Sequence, residues 1–161
     1  MPITYVAAMP RSRAARYFND PSDKTKEQFA SLYSSRIGFI GISAHDEPHL
    51  IPDLPNHLRL HFNDINPSRF SEHTEAEILL GPNEAHAREI YNFVEAIQSR
   101  EEEWAVFVHC SAGISRSGAI SRWIEDATGA MGEEKFREAN KQIQPNATLL
   151  RMLHRLMYES E

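Results

Sequence analysis

Two rhythms of apolar and polar positions alternate along the chain. Ile3 to Met9 is a continuous apolar stretch and predicts a buried first strand, which Pro10-Arg11-Ser12 should interrupt before a short helix from Arg13 to Phe18. A loop over Asn19 to Asp23 follows, and then Phe29, Leu32 and Tyr33 fall at helical spacing within Thr25 to Tyr33. Ile37 to Ser43 is apolar enough for a second buried strand, and His45 to Asn56, with its prolines, reads as a loop. From His57 to Phe62 the pattern becomes strictly alternating: Leu58, Leu60 and Phe62 share one face, while His57, Arg59 and His61 take the other. That is a third strand.

The second half is mostly helical in rhythm. A short helix is expected over Glu72 to Leu80, and Asn83 after Pro82 caps a longer one whose stripe is Ala87, Ile90, Tyr91, Val94 and Ile97. Trp104 to Val108 is an unbroken apolar run, the signature of a strand buried on both faces of a parallel sheet, and it leads directly into His109-Cys110. Ala119, Ile120, Trp123, Ile124 and Ala127 trace another helix, stopped by Gly129. Phe136, Ala139 and Ile143 mark the next, broken by Pro145, and Asn146 caps a last helix carrying Leu149, Leu150, Leu153, Leu156 and Met157. Alternating strands and helices define the α/β class, with a small, mainly parallel central sheet flanked by helices on both faces. A chain of 161 residues holds this as one domain, residues 1–161.

Composition narrows the choice of partners. Hydrophobic residues at 41% and charged residues at 25% exclude disorder. A formal charge of -6 and a pI near 5.8 argue against binding nucleic acid or an anionic membrane through bulk charge, although a local basic pocket stays open. The single cysteine, Cys110, forbids an intrachain disulfide and points to a reducing compartment. Residues 3–9 are too short for a signal-peptide core or a membrane span, so a cytoplasmic protein is expected.

Chemistry concentrates in Val108-His-Cys-Ser-Ala-Gly-Ile-Ser-Arg-Ser-Gly118, between the most buried strand and a helix. Ligands of open parallel sheets bind beyond the carboxyl ends of the strands, which is where this segment falls. The backbone amides of Ser111, Ala112, Gly113, Ile114 and Ser115, ending at a helix N-terminus, can form a nest for an anion such as phosphate. Arg116 can fold back over that nest and hold two phosphate oxygens with its planar fork. Helix N-termini and nearby cations also favour the thiolate, the nucleophilic form of a cysteine.

The loop resembles the His-Cys-x5-Arg-Ser/Thr signature of the cysteine-based protein tyrosine phosphatases, and Cys110-Ser-Ala-Gly-Ile-Ser-Arg116-Ser117 looks most like their dual-specificity branch. The detailed likeness covers about residues 104–128. It implies that Cys110 attacks phosphorus to give a phosphocysteine, and that Arg116 and the amides of residues 111–115 bind the phosphoryl oxygens. Ser117 would hydrogen-bond the sulfur, and His109 would hydrogen-bond the loop backbone. No metal or cofactor is expected.

The family also uses an aspartate as general acid on a loop upstream. Asp64, after the alternating strand, is favoured over Asp46, after the second strand. Two departures accompany this choice: no Trp-Pro-Asp sequence is present, and the interval from Asp64 to Cys110 implies an insertion before Asn83.

Plainer roles compete for several residues. Ser115 and Asn146 read more simply as helix caps than as site residues. His45-Asp-Glu-Pro-His49 superficially resembles a zinc helix, but Pro48 breaks any helix there, and His57 with His61 offers two ligands without a third. The expected substrate is a phosphorylated protein or a small phosphomonoester. The competing readings are a catalytically weak phosphate-binding module and a phosphatase for a phosphoinositide, nucleotide or RNA phosphate.

Overall fold

The structure, a computed structural model, describes residues 2–19, 36–49, 56–65 and 74–159. In chain order the elements are β1 (Ile3–Pro10), α1 (Arg11–Asn19), β2 (Ile37–Ser43), β3 (His57–His61), α2 (Glu75–Leu79), α3 (Glu84–Gln98), β4 (Trp104–Cys110), α4 (Arg116–Thr128), α5 (Glu133–Ala139) and α6 (Ala147–Glu159). The strands form one parallel sheet in the order β1-β4-β2-β3. Strand β4, buried along its whole length, is internal, and its carboxyl end opens between the ends of β1 and β2.

Alternation along β4 separates two cores. Trp104, Val106, Val108 and Cys110 face a large cluster with Ile90, Val94 and Ile97 of α3, Ile120, Trp123 and Ile124 of α4, and Leu149, Leu153 and Leu156 of α6. Ala105 and Phe107 face a smaller cluster with Ala7 and Met9 of β1, Ala14 of α1, and Ile37 and Phe39 of β2. Phe107 meets Phe39 edge to face at 5.4 Å, and Tyr17 packs on both rings at 5.0 and 5.9 Å. Helices thus cover both faces of an α/β sheet, as the sequence pattern implies.

Several boundaries differ from the sequence expectation, for local reasons. Pro10 closes β1 instead of interrupting it, in register with Cys110, because an edge strand tolerates a missing N–H; α1 starts at once with Arg11. β4 runs on through His109 and Cys110, which pair with Met9, Pro10 and Gly41. The helix expected to run through Ile143 to Pro145 ends earlier, at Ala139. Asn140 stops it by turning its amide onto β1: the Ala8 N–H donates to Asn140 Oδ1 at 2.7 Å, and Asn140 Nδ2 donates to the Val6 carbonyl at 3.1 Å. Gln142 Nε2 donates to the Ala8 carbonyl at 3.1 Å, and the Val6 N–H meets Met131 Sδ at 3.4 Å. The outer edge of β1 is thereby hydrogen-bonded by side chains.

The short helix expected over Glu72 to Leu80 is present as α2, capped by Thr74 Oγ1, which accepts from the Glu77 N–H at 3.2 Å. Asn83 caps α3 with its side chain, accepting from the His86 N–H at 2.9 Å, and Gly129 ends α4 at φ 63°. The helix expected over Thr25 to Tyr33 lies outside the described residues. Among the described residues no helix is long and apolar enough to cross a membrane.

Candidate active site

The chain leaves β4 at Cys110, turns through residues 111–115 and enters α4 at Arg116. Packing dictates the turn. Gly113 sits at φ 72°, and a Cβ there would lie 2.4 Å from the Met9 carbonyl carbon, so the loop is pressed against the β1–α1 junction where only glycine fits.

Hydrogen bonds then orient the loop. The Ser111 carbonyl accepts from the Arg11 N–H (3.2 Å), the Gly113 carbonyl from Gln142 Nε2 (3.1 Å), the Ile114 carbonyl from the Gln144 N–H (2.9 Å) and the Ser115 carbonyl from the Asn146 N–H (3.0 Å). Four carbonyls of the loop are thus turned to the surrounding scaffold, while the amides of residues 111–115 donate to no acceptor among the described residues. A row of free amides at a helix N-terminus is an anion site.

The side chains converge on the same space. Cys110 Sγ and Ser117 Oγ lie 3.1 Å apart, both buried, so the hydroxyl can donate to a thiolate. Arg116 is 7% exposed. Its guanidinium is pinned by Nη1 donating to the Phe62 carbonyl (2.9 Å) and Nη2 donating to Ser111 Oγ (3.1 Å), while Nε is buried with no partner among the described residues. A buried cationic N–H without an acceptor is costly, and an oxyanion in the loop would satisfy it.

Of the two candidate acids, Asp64 is the one brought to the loop. It follows β3 and is solvent-exposed, and its Oδ1 accepts from Ser115 Oγ (2.7 Å) and Asn146 Nδ2 (3.0 Å). Asp46 is exposed in the turn after β2, and it is its neighbour Glu47 that reaches the loop, at 3.5 Å from Ser111 Oγ.

Three expectations need correction. Ser115 stands at the N-cap of α4 but makes no capping hydrogen bond, because its hydroxyl is spent on Asp64. Asn146 does cap α6, its Oδ1 accepting from the Leu149 N–H at 3.0 Å, yet Nδ2 also donates to Asp64 and to the Ile65 carbonyl (3.0 Å). His109 does not bond the loop backbone. Neither ring nitrogen has a partner among the described residues, and alternation along β4 turns the ring to the Phe107 face, opposite Cys110. Burial, and secondarily the charges of Arg11 and His49, lower its pKa from 6.5 to about 4, so the ring is neutral at pH 7. Gln142 escapes a sequence reading, and Asn146 is read there only as a helix cap.

Among the described residues no group of three histidine, cysteine, aspartate or glutamate side chains is placed to hold a metal ion.

No family model matches the chain, and no curated protein matches it significantly. Solved structures do match. The human tyrosine phosphatase-like serine/threonine/tyrosine-interacting protein is 21% identical, the match covering 96% of this chain and 91% of that one with a TM-score of 0.56. DUSP15 is 20% identical over 99% and 87% of the two chains, with a TM-score of 0.53. PTPMT1, solved in complex with PI(5)P, is 18% identical over 97% and 92%, with a TM-score of 0.51. The chain therefore shares its fold with these tyrosine phosphatase-like proteins.

Proposed function

We propose that the protein is a phosphatase for phosphotyrosine, and for phosphoserine and phosphothreonine where they reach the loop, acting through a phosphocysteine on Cys110. The observation that carries this reading is the loop itself: its amides have no acceptor among the described residues, four of its carbonyls are bonded to the scaffold, and Arg116 is held buried with its Nε unpartnered among those residues. The Cys110 thiolate attacks phosphorus, the ester P–O bond breaks, and the leaving oxygen takes a proton from Asp64. With Oδ1 occupied by Ser115 and Asn146, Oδ2 is the atom that carries this proton.

In the second step the Asp64 carboxylate takes a proton from water, and the water oxygen attacks phosphorus. The P–S bond breaks, and Ser117 donates to the departing thiolate. Residues 111–115 and Arg116 hold the equatorial oxygens in both steps, which asks for no metal or cofactor. A protein substrate is preferred over a phosphoinositide because the loop contains no lysine, although PTPMT1 was solved with such a lipid.

The test is p-nitrophenyl phosphate hydrolysis in EDTA by wild type, Cys110→Ser and Asp64→Asn, with vanadate as inhibitor. Expected are activity that survives EDTA, none in the cysteine variant, and a loss of about 10²–10³-fold in the aspartate variant. An inactive wild type that still binds vanadate would turn the reading to a phosphate-binding module. The human neighbour's name, phosphatase-like and interacting, favours that second reading.

A further inference from the structure

The stretch that carries Asp64 is short, and its backbone is held on both sides. Phe62 makes a bond to the end of β2, its N–H donating to the Ser43 carbonyl at 2.9 Å, while its own carbonyl accepts from Arg116 Nη1. The Asn63 N–H donates to the Leu80 carbonyl at 2.7 Å, and Asn63 Oδ1 accepts from the His45 N–H at 3.1 Å. Ile65 is buried so closely against Gly81 that a Cβ on that glycine would lie 2.7 Å from the Ile65 Cβ. The exposed carboxylate between them is placed by the two side chains that donate to Oδ1.

Those two donors are not equivalent. Ser115 offers a hydroxyl that turns about one bond. Asn146 is 5% exposed, and its polar groups are all engaged. Its N–H donates to the Ser115 carbonyl (3.0 Å), its carbonyl accepts from the Leu150 N–H (3.0 Å), and Oδ1 accepts from the Leu149 N–H (3.0 Å). Nδ2 then donates to Asp64 Oδ1 and to the Ile65 carbonyl, each at 3.0 Å, which uses both of its hydrogens. Flipping the amide would set Nδ2 against the Leu149 N–H, donor against donor. Its orientation is therefore locked.

One buried residue thus joins the signature loop, the acid and the first turn of α6, whose Leu149, Leu153 and Leu156 anchor it in the large core. Capping accounts for only half of this side chain. Serine, threonine and aspartate cap helices as well, but of these residue types asparagine alone accepts on one atom and donates from another. The donor is what capping leaves over, and it goes to the acid segment.

We infer that Asn146 is a positioning residue for the proton transfer: it sets Asp64 in register with the signature loop and leaves Oδ2 to meet the leaving oxygen. The inference rests on the phosphatase reading and deepens it, because it makes α6 the frame against which the acid is held. A misplacement of about 1 Å in such a group can cost about 10²-fold in rate.

The experiment uses Asn146→Ser, which keeps an acceptor for the Leu149 N–H and removes the amide donor. Its turnover of phenyl phosphate, a poor leaving group, is compared with that of p-nitrophenyl phosphate, a good one, in wild-type and Asp64→Asn backgrounds. On phenyl phosphate kcat should fall about 10- to 100-fold with KM within about twofold, and on p-nitrophenyl phosphate the loss should be smaller. In the Asp64→Asn background Asn146→Ser should add no further loss, since it acts through a carboxyl that is no longer there.

No loss, an equal loss on both substrates, or a loss that adds in full to that of Asp64→Asn overturns the inference. If Asn146→Ser does not fold, Asn146→Asp, which also keeps the cap and supplies no donor, is read by the same criteria. Should wild type hydrolyse nothing, the phosphatase reading fails separately. Hydrogen exchange at the Asn63 and Ile65 amides then decides whether Asn146 holds the segment: faster exchange in Asn146→Ser supports it, and unchanged exchange refutes it.

Discussion

His109 and Cys110 are neighbours in sequence and almost equally buried, at 1% and 2% exposure, yet they belong to different halves of the molecule. Cys110 points to the large core, where α4 and α6 return Ser117, Arg116 and Asn146 to the end of the same strand. His109 points to the face of the small core, where it feels the charge of Arg11. The difference teaches that alternation along one strand can partition a sheet: one face carries the candidate site, and the other packs behind it. Pairing with both β1 and β2 holds the two residues in that register, so neither can change face alone.

The partition can be broken or sharpened by substitution. The largest effect belongs to the chemical face: Cys110→Ser should lower hydrolysis by on the order of 10⁴-fold or more while leaving the denaturant midpoint nearly unchanged. On the other face the expectation reverses. Phe107→Ala removes the ring against which Tyr5, Tyr17 and Phe39 pack, and should cost about 3–5 kcal/mol of stability with turnover per folded molecule preserved. Folded Phe107→Ala without activity, in chemical denaturation run beside the kinetic assay, would break the comparison.

A smaller effect is pH-dependent. With the His109 pKa at about 4 in the folded protein against 6.5 in the unfolded chain, the unfolded state binds more protons in that window. Stability is complete above pH 6.5 and declines as pH falls toward 4, by about 3 kcal/mol in total. His109→Gln should flatten urea midpoints over this range, and a slope that persists would assign the titration elsewhere. Smallest is Ser115→Ala, which takes one of two donors from Asp64 and should lower turnover of a poor leaving group about tenfold, with a lesser loss on p-nitrophenyl phosphate. Equal losses on both substrates would mean that Ser115 does not position the acid.

Much of this was legible in the chain because it is local. The run Trp104 to Val108 fixes the central strand, Asn83 and Gly129 mark helix ends, and residues 109–117 mark the candidate loop between β4 and α4. What escaped was decided between residues far apart in sequence. Ser115 reads as a cap until Asp64, 51 positions away, claims its hydroxyl, and Asn146 reads as a cap until its second functional group is seen to reach across 82 positions. Asn140 ends a helix that apolar spacing would continue to Ile143, because β1 needs its amide more than α5 does. Alternation alone would have turned His109 away from Cys110, had the motif not suggested otherwise.

The amide side chains along β1 have one more consequence. An open strand edge is a template on which another chain can grow, by strand addition or by fibril formation. Here Asn140 and Gln142 occupy that template as if they were a further strand, and Gln142 also holds the Gly113 carbonyl. Guarding the molecule against self-association and holding the loop in shape are thus tasks of one short connection. A substitution at Gln142 would be felt first as precipitation or as lost turnover, according to which of its two bonds the cell needs more.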